Sequence, residues 1–432
     1  MSAMGKVLIT GGRVIDPSTN RDGVFDILIE RGKIADIQPN IPANGAKPLD
    51  ARGRLVVPGF IDLHTHLRQP GREDSETLET GLRAAARGGF TAVCAMPNTE
   101  PAIDTRGVAD FIHQEGQRLG LVAVRAVGAV TKGRQGAELT DFGELFDAGC
   151  VALSDDGSPV MDGLLMRRAL EYARVFERPI IQHAEDLTLS AGGVAHEGLL
   201  SMTLGLPGIP AEAESVMVAR DLALAELTSG WLHLAHLSSA RSVELVRQAK
   251  RRGVHVTCEV TPHHLTLTHE AIEGFNTDAK VNPPLRAEQD RLALIEGLRD
   301  GTIDCIATDH APHADWEKDA EFAAAPFGIA GLETALGVCV RTLLEPNHLT
   351  WPQLIEKLSV KPAAIANLPG GTLKPGSEAN LTLIDPDVSW TVDPQRFLSK
   401  CRRSPFVGWT LRGRVTHTIV KGGVVYSGDA ES

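Results

Sequence analysis

The sequence predicts an α/β fold, a (β/α)8 TIM barrel with a small β-sandwich domain formed from both chain ends. Two observations carry this prediction. Between about residues 59 and 370, short apolar runs alternate with helix-like stretches eight times, which fits a closed barrel of parallel strands. At both chain ends, helical periodicity is missing and strand-like runs are separated by Gly and Pro.

Composition and charge limit the class of protein. The chain has 432 residues, 43% hydrophobic and 23% charged, which is typical of a globular protein and excludes disorder and coiled coil. The net charge is −12, without any block of Lys or Arg, so nucleic-acid binding is not expected. No run approaches the ~20 apolar residues of a membrane span or resembles a signal peptide. With six cysteines and no Cys-x-x-Cys pair, we expect a reduced, cytoplasmic, soluble protein.

The predicted β-sandwich domain comprises residues 1–58 and 371–432. Its strand-like runs are Val7–Thr10, Asp26–Glu30, Lys33–Ile37, Leu381–Ile384, Val415–Val420 and Val424–Tyr426. Two β-rich ends around a different middle favour one domain assembled from both. Two separate terminal hairpins are the alternative.

Residues 59–370 form the predicted catalytic barrel. Its strand candidates are Phe60–Leu63, Ala92–Met96, Val122–Ala126, Cys150–Leu153, Pro179–Gln182, Trp231–Ala235, His255–Val260 and Asp304–Ala307. Helix-like segments between them include Leu78–Arg87, Gly107–Leu119, Leu164–Val175, Ala213–Leu227 and Ser242–Arg252. An open, doubly wound sheet is the alternative. No Gly-x-Gly-x-x-Gly follows the first strand, which disfavours dinucleotide binding.

Side chains that can bind a metal follow five of these strands directly. They are His64, His66, Asp155, Asp156, His183, His236 and Asp309. Because the C-terminal ends of barrel strands meet at one mouth, we expect these distant residues to lie together.

The spacing of His64 and His66 points to a metal site. Residues i and i+2 of a strand point the same way, so both imidazoles should face inward. Imidazoles with carboxylates suit Zn²⁺. A pair of hydrogen-bonded barrel histidines is the alternative for this motif alone. Four histidines and two carboxylates in one mouth are costly to bury without a cation, and so many ligands favour two metals, about 3.5–4 Å apart, over one.

Four motifs, in order along nearly the whole chain, are similar to those of a known family. They are Gly59-Phe-Ile-Asp-Leu-His64-Thr-His66-Leu-Arg68-Gln-Pro-Gly71, Met96-Pro-Asn98-Thr-Glu-Pro101, Ser154-Asp-Asp156-Gly157 and Ala307-Thr-Asp309-His-Ala-Pro-His313. This combination resembles the class I dihydroorotases of the amidohydrolase superfamily, which are metal-dependent hydrolases.

The resemblance implies a set of metal ligands. His64, His66 and Asp309 would hold the first zinc, and His183 and His236 the second. Asp156 would bridge the two ions, where many relatives use a carboxylated lysine. Lys132, after the third strand, is a weaker candidate for the bridge. Asp155 competes with Asp156, and since neighbours in an extended segment point oppositely, only one of them should face the metals.

The resemblance also implies the reaction, the reversible interconversion of N-carbamoyl-L-aspartate and (S)-dihydroorotate plus water in de novo pyrimidine (UMP) biosynthesis. A metal-bound water of lowered pKa would supply hydroxide for attack on the ring amide. Asp309 would be the general acid/base, taking the proton and returning it to the leaving ring nitrogen.

Substrate contacts are implied in the same way. Arg68, Asn98 and His313 would bind the substrate carboxylate, for which the fork of a guanidinium is suited. Asn282 would meet the ring edge. On spacing alone, a turn-forming role is the alternative for both asparagines. The other candidate contacts are His66, Phe327 and Gly328. The segment Ala314–Phe327 is interpreted as a mobile lid over the mouth.

The remaining histidines are not expected to bind metal. His263, His264 and His310 are assigned supporting roles outside the ligand set. Seven others are interpreted as surface or packing residues: His113, His196, His233, His255, His269, His348 and His417.

Two alternative functions stay open. One is a related cyclic amidase, a dihydropyrimidinase, hydantoinase or allantoinase, although Arg68 would then lack an anionic partner. The other is a non-catalytic dihydroorotase-like partner of aspartate transcarbamoylase. The family usually forms dimers, so a homodimer is expected, and aspartate transcarbamoylase is a possible partner.

Overall fold

The computed structural model describes residues 5–428, and the outermost residues of the predicted terminal domain, 1–4 and 429–432, lie outside them. The strands in the described part are β1 (Val7–Asp16), β2 (Arg21–Glu30), β3 (Lys33–Gln38), β4 (Lys47–Asp50), β5 (Leu55–Pro58), β6 (Phe60–Thr65), β7 (Phe90–Ala95), β8 (Ala123–Ala126), β9 (Leu153–Ser154), β10 (Ile180–Gln182), β11 (Ala195–His196), β12 (Gly208–Ile209), β13 (Leu232–Leu234), β14 (Val256–Val260), β15 (Cys305–Ile306), β16 (Leu381–Thr391), β17 (Thr410–Val420) and β18 (Gly423–Ser427).

The helices lie mostly between the strands of the central region. They are α1 (Leu78–Arg87), α2 (Arg106–Leu119), α3 (Phe142–Asp147), α4 (Gly163–Arg174), α5 (Leu199–Leu204), α6 (Glu212–Thr228), α7 (Ala240–Arg251), α8 (Pro262–Thr266), α9 (Glu288–Arg299), α10 (Asp315–Lys318), α11 (Ala335–Cys339), α12 (Trp351–Ile355) and α13 (Lys361–Ile365). Two π-helical segments, Val340–Leu344 and Glu356–Val360, continue α11 and join α12 to α13.

Both chain ends build one sheet. Its strands run in the order β18-β17-β16-β5-β1-β2-β3, with β4 paired to β1. The antiparallel pairing of Leu381 with Pro58 joins the C-terminal strands to the N-terminal ones. One core cluster includes Ile34 of β3 and Ile419 of β17, from opposite ends of the sheet, so the sheet curves around its own core. The prediction of one sheet from both ends is confirmed and the two-hairpin alternative is wrong. The predicted boundaries at 58/59 and 370/371 stay predictions.

Eight parallel strands close into a barrel. One sheet has the order β6-β7-β8 and the other β15-β14-β13-β10-β9. A parallel bridge between Gly128 and Leu153 joins β8 to β9, and another between Thr65 and His310 joins the end of β6 to the chain after β15. The backbone N–H of His66 donates to the carbonyl of His310 at 2.8 Å, which completes the closure. The (β/α)8 prediction is therefore confirmed over the open sheet.

Local sequence explains why the helices form where they do. Thr77 caps α1 through a capping box with Thr80, and Leu78 and Leu82 are buried against the strands. Asp162 caps α4 by accepting from two backbone N–H groups. The five helices predicted from sequence are present within one or two residues of their expected ends. In residues 5–428, no helix combines the length and the apolar character needed to cross a membrane.

Candidate active site

A cavity of about 210 Å³ opens where the barrel strands end. Eleven of the twelve residues that the sequence predicts for the site line it: His66, Arg68, Asn98, Asp156, His183, His236, Asn282, Asp309, His313, Phe327 and Gly328. The twelfth, His64, is fully buried behind the wall and lies close to Asp156 and Asp309. The fold thus brings all twelve into one place.

Asp156 lies among four histidines that come from three different strand ends. Its Oδ1 is 3.3 Å from Nε2 of His64 and 3.6 Å from Nε2 of His236. The same oxygen is 3.8 Å from Nδ1 of His183, and Oδ2 is 3.5 Å from Nε2 of His66. One carboxylate thus faces all four imidazoles that the sequence predicts as metal ligands.

Asp309 faces the same centre from the end of β15. Its Oδ1 is 3.0 Å from Nε2 of His66 and 3.6 Å from Nε2 of His64. Both imidazoles therefore point to one side, as their spacing predicts. Burial would raise the pKa of Asp309, but the charge of His64 and the hydrogen bond from His66 outweigh burial and hold this pKa well below its usual range. Asp309 is a carboxylate at neutral pH.

The donor set fits a metal. Nε2 of His64 and Oδ1 of Asp156 are buried and have no hydrogen-bond partner, which is costly unless a cation satisfies them. Nδ1 of His183 and Nε2 of His236 lie 2.9 Å apart, and both are within 4 Å of Oδ1 of Asp156. Among the predicted ligands, two groups have ligand atoms within 4.8 Å of one another, His64-Asp156-His236 and His64-His66-Asp309. Imidazole and carboxylate donors are those that zinc prefers.

Glu259 holds His64 from behind. Its Oε1 is 2.8 Å from Nδ1 of His64, and its Oε2 is 3.2 Å from Nε2 of His233. Burial would raise the pKa of Glu259, but hydrogen bonds from His233 and His64 lower it to about 2. His233, predicted to be a surface or packing residue, is buried in this network, and its Nδ1 lies 2.8 Å from Oγ1 of Thr257.

Two further predicted metal ligands, His66 and His183, are each oriented by a hydrogen bond from the ring nitrogen that faces away from the centre. Nδ1 of His66 is 2.8 Å from Oδ1 of Asn98. Nε2 of His183 is 2.9 Å from Oε2 of Glu185. With these nitrogens occupied, Nε2 of His66 and Nδ1 of His183 are left for the centre.

Glu185 and Glu259 were missed by sequence reasoning. Glu185 stands only two residues after His183, so period-two alternation could have placed it on the same side. Glu259 is a carboxylate inside the apolar strand β14, which is unusual enough to mark it. Its partner His64 is 195 residues away, and only barrel closure shows that the two meet.

The two alternatives to Asp156 lie elsewhere. Asp155 turns away from the centre, where its Oδ1 accepts the backbone N–H of Thr131 at 3.0 Å. Lys132 is exposed and its ammonium pairs with Glu138. The opposite orientation of neighbouring side chains therefore leaves Asp156 as the residue that faces the histidines.

Arg68 forms a cationic wall of the cavity. Its Nε donates to the carbonyl of Pro312 at 3.0 Å, and its Nη2 lies 3.3 Å from Nε2 of His313. Burial, followed by repulsion from the charge of Arg68, lowers the pKa of His313 to about 3, so this imidazole is neutral. Its Nε2 donates to the carbonyl of Phe327. No carboxylate in residues 5–428 forms an ion pair with Arg68, so its charge is available to an anion.

Three residues of the site have left-handed backbone conformations. Arg68, His236 and Asp309 have φ values of 62°, 28° and 46°. Such conformations cost energy for non-glycine residues and concentrate at functional sites. Gly328 has φ of 146°, and a Cβ there would lie 2.6 Å from the carbonyl oxygen of Ala311, so only glycine fits this wall.

The three supporting histidines lie outside the cavity lining. His264 is buried, with Nε2 2.8 Å from the carbonyl of Pro283 and Nδ1 2.7 Å from Oγ1 of Thr261. Nδ1 of His310 accepts from the N–H of Gly331. His263 is buried, and its Nε2 has no hydrogen-bond partner.

Two buried lysines anchor the segment Ala314–Phe327. Lys280 donates to the carbonyls of Phe322, Ala323 and Ala325 at 2.7, 3.1 and 2.6 Å. Lys318 donates to the carbonyls of Thr277, Lys280 and Pro326. The segment is thus held at the cavity wall, and its opening as a lid stays a prediction.

Comparisons with known proteins show similarity to dihydroorotases over nearly the whole chain. A family model described as dihydro-orotase-like matches residues 53–242. A dihydroorotase from Syntrophus aciditrophicus is 52% identical over 426 residues, 98% of this chain and 100% of the relative. One from Pelotomaculum thermopropionicum is 54% identical over 420 residues, 97% and 98% of the two chains.

Solved structures share the fold. An L-hydantoinase (dihydropyrimidinase) from Arthrobacter aurescens superimposes with a TM-score of 0.87 at 26% identity, covering 98% of this chain and 96% of the other. A dihydropyrimidinase from Brevibacillus agri gives a TM-score of 0.84 at 23% identity, over 98% and 95% of the two chains, which shows the fold alone.

Proposed function

Because the chain belongs to the dihydroorotase family of cyclic amidohydrolases, we propose that its cavity interconverts N-carbamoyl-L-aspartate and (S)-dihydroorotate in de novo pyrimidine (UMP) biosynthesis. The observation that carries the proposal is Arg68, a cation without a carboxylate partner in residues 5–428, beside a cluster of metal-binding side chains. A substrate with a carboxylate next to its amide ring supplies that partner. A hydantoin or dihydrouracil ring does not, which disfavours the related cyclic amidases.

The proposed metal centre holds two zinc ions per subunit. His64, His66 and Asp309 would bind the first and His183 and His236 the second, with Asp156 shared. The buried, unpartnered atoms of His64 and Asp156 support this assignment. Bound ions of this kind lower the pKa of a coordinated water toward about 7 and polarise the carbonyl. The complete ligand set also argues against a non-catalytic subunit.

Asp309 is the proposed general acid/base. In ring opening, its carboxylate accepts a proton from the attacking water and delivers that proton to the departing ring nitrogen. In ring closure, it takes the proton from the carbamoyl nitrogen and returns it to the leaving water. Two features support this role: burial keeps the carboxylate fixed, and the nearby His64 and the 3.0 Å contact with His66 keep it ionised.

The substrate carboxylate would lie between Arg68, Asn98 and His313, with Asn282 at the ring edge. His66, Phe327 and Gly328 complete the proposed binding surface. A cavity of about 210 Å³ is of the right order for a small six-membered ring with one carboxylate. The absence of space for a side chain at Gly328 keeps the wall close to the ring.

Assembly and location are part of the proposal. We propose a homodimer that can associate with aspartate transcarbamoylase, and a cytoplasmic location without nucleic acid or membrane contact. Six free, buried cysteines support a reducing compartment. Light scattering of the purified chain, alone and with the transcarbamoylase, tests both associations.

One preparation tests the function. The purified protein is assayed for hydrolysis of dihydroorotate and of dihydrouracil, and its zinc content is measured in parallel. We expect turnover of dihydroorotate with about two zinc ions per chain. Faster turnover of dihydrouracil would overturn the proposal, and zinc-free protein would support a non-catalytic role.

A further inference from the structure

Glu185 lies directly behind the cavity and contacts two of its walls. It follows β10 by three residues and is 9% exposed. Its Oε2 is 2.9 Å from Nε2 of His183 and 2.8 Å from Nδ2 of Asn282. One carboxylate oxygen therefore accepts from a proposed metal ligand and from a proposed substrate contact, which are 99 residues apart in the chain.

The contact with His183 selects its tautomer. A carboxylate only accepts hydrogen bonds, so the proton of a neutral His183 is on Nε2 and the lone pair is on Nδ1. That Nδ1 lies 2.9 Å from Nε2 of His236 and 3.8 Å from Oδ1 of Asp156. Glu185 thus turns the metal-binding nitrogen of His183 toward the centre, as carboxylates commonly do for metal-bound histidines.

The contact with Asn282 selects the orientation of its amide. Only the NH2 group can donate, so Nδ2 faces Glu185 and the amide cannot be flipped without placing two oxygens together. Oδ1 of Asn282 then has no hydrogen-bond partner among residues 5–428, and the residue lines the cavity. The ring-edge contact is therefore an acceptor, which suits an N–H group of the substrate.

We propose that Glu185 is a positioning residue that aligns His183 for metal and Asn282 for a substrate N–H at the same time. The second half of this statement rests on the proposed function. Glu185 makes no ion pair with a lysine or arginine in the described chain, so a surface salt bridge does not explain its burial. Besides Ser190, its hydrogen-bond partners are His183 and Asn282, which both line the cavity.

Three variants separate this role from a merely structural one. Glu185→Met removes the acceptor and keeps a side chain of similar length. Glu185→Gln keeps one amide oxygen that can accept from both donors and removes the charge. Asp186→Asn is the matched control, since Asp186 is the adjacent carboxylate and caps a turn outside the cavity.

The first readout is zinc affinity, measured by competition with a chromogenic chelator. We expect Glu185→Met to weaken it about 10- to 100-fold, Glu185→Gln to weaken it less, and Asp186→Asn to leave it unchanged. If Glu185→Met does not fold, Glu185→Gln carries the test through a smaller but measurable loss. Zinc affinity within twofold of the wild type in every folded Glu185 variant overturns the first half of the proposal.

The second readout is a double-mutant cycle with Asn282→Ala, assayed on dihydroorotate at saturating zinc. If Glu185 acts on substrate through Asn282, the loss of kcat/KM from Asn282→Ala is at least threefold smaller in the Glu185→Met background than in the wild type. Independent, multiplicative losses overturn the second half. A wild-type protein without dihydroorotate turnover would defeat the proposed function instead, and the zinc competition would still decide the role of Glu185.

Discussion

Glu259 Oε1 lies 2.8 Å from Nδ1 of His64, and this contact leaves Nε2 as the nitrogen of His64 that faces Asp156 and Asp309. The second oxygen of Glu259 is held by His233, so the carboxylate cannot rotate away. A buried pair on β6 and β14 thereby ties the geometry of the proposed metal centre to the closure of the barrel. The predicted metal ligand His64 and the residues that orient it, Glu259 and His233, therefore form one continuous hydrogen-bond network.

Replacing Glu259 with Leu should weaken both zinc binding and the fold. Two imidazole N–H groups, on His64 and His233, would be left buried and unpaired, at about 1–3 kcal/mol each. We expect zinc affinity to fall about 10- to 100-fold and the free energy of unfolding to drop by about 2–6 kcal/mol. Chelator competition and urea denaturation measure the two effects. Glu259→Gln keeps one acceptor, so its zinc affinity and its free energy of unfolding should lie between those of Glu259→Leu and the wild type. If both variants match the wild type in both quantities, Glu259 does not support His64.

Replacing Arg68 with Met should abolish recognition of the substrate carboxylate without disturbing the metal centre. Arg68 is the only lysine or arginine of the cavity lining in the described residues, so we expect kcat/KM for dihydroorotate to fall about 100-fold or more, which is about 2.7 kcal/mol. Zinc content should stay at the wild-type value. Arg72→Met is the matched control, because Arg72 pairs with Glu317 outside the lining. A similar loss in both variants would contradict the assignment.

His264 should make stability depend on pH. Burial lowers its pKa in the folded state to about 4, against about 6.5 when unfolded. Since the fold favours the neutral imidazole, the stabilisation is complete above about pH 6.5 and is lost as pH falls through 4, by up to about 3 kcal/mol. His264→Gln can keep the contacts to Pro283 and Thr261 without titrating. Urea denaturation from pH 4 to 8 should show that the free energy of unfolding depends less steeply on pH in the variant than in the wild type. The same pH dependence in both proteins would contradict the role of His264.

Most of the fold could be predicted because its signals are local. The alternation of apolar runs and helical stretches gave the eight barrel strands, and β6 continues only two residues beyond the predicted Phe60–Leu63. The predicted Cys150–Leu153 is shifted to Leu153–Ser154, since strand ends depend on partners across the barrel. Those partners are set by closure, which no short stretch of sequence encodes.

The residues of the site likewise include some that local sequence signals place and others that only long-range contacts place. His64 and His66 could be placed on one side because strand alternation is local. The choice of Asp156 over Asp155 needed the family motif, since the direction in which the chain leaves β9 depends on the Thr131 contact with Asp155. The support of His64 by Glu259 joins residues 195 positions apart and could not be read from spacing.

The anchoring of the segment Ala314–Phe327 gives the last prediction. Lys280 donates to three of its carbonyls, so Lys280→Met removes these hydrogen bonds and should lower the free energy of local opening by about 2 kcal/mol. Cleavage by proteinase K within residues 319–326 should then be about 30-fold faster, because proteolysis follows the population of the open segment. Lys374→Met, at an exposed lysine, is the control and should leave cleavage unchanged. If the segment is a lid, saturating dihydroorotate slows cleavage in the wild type. If neither substrate nor Lys280→Met changes the cleavage rate, the lysine contacts do not control the opening of the segment.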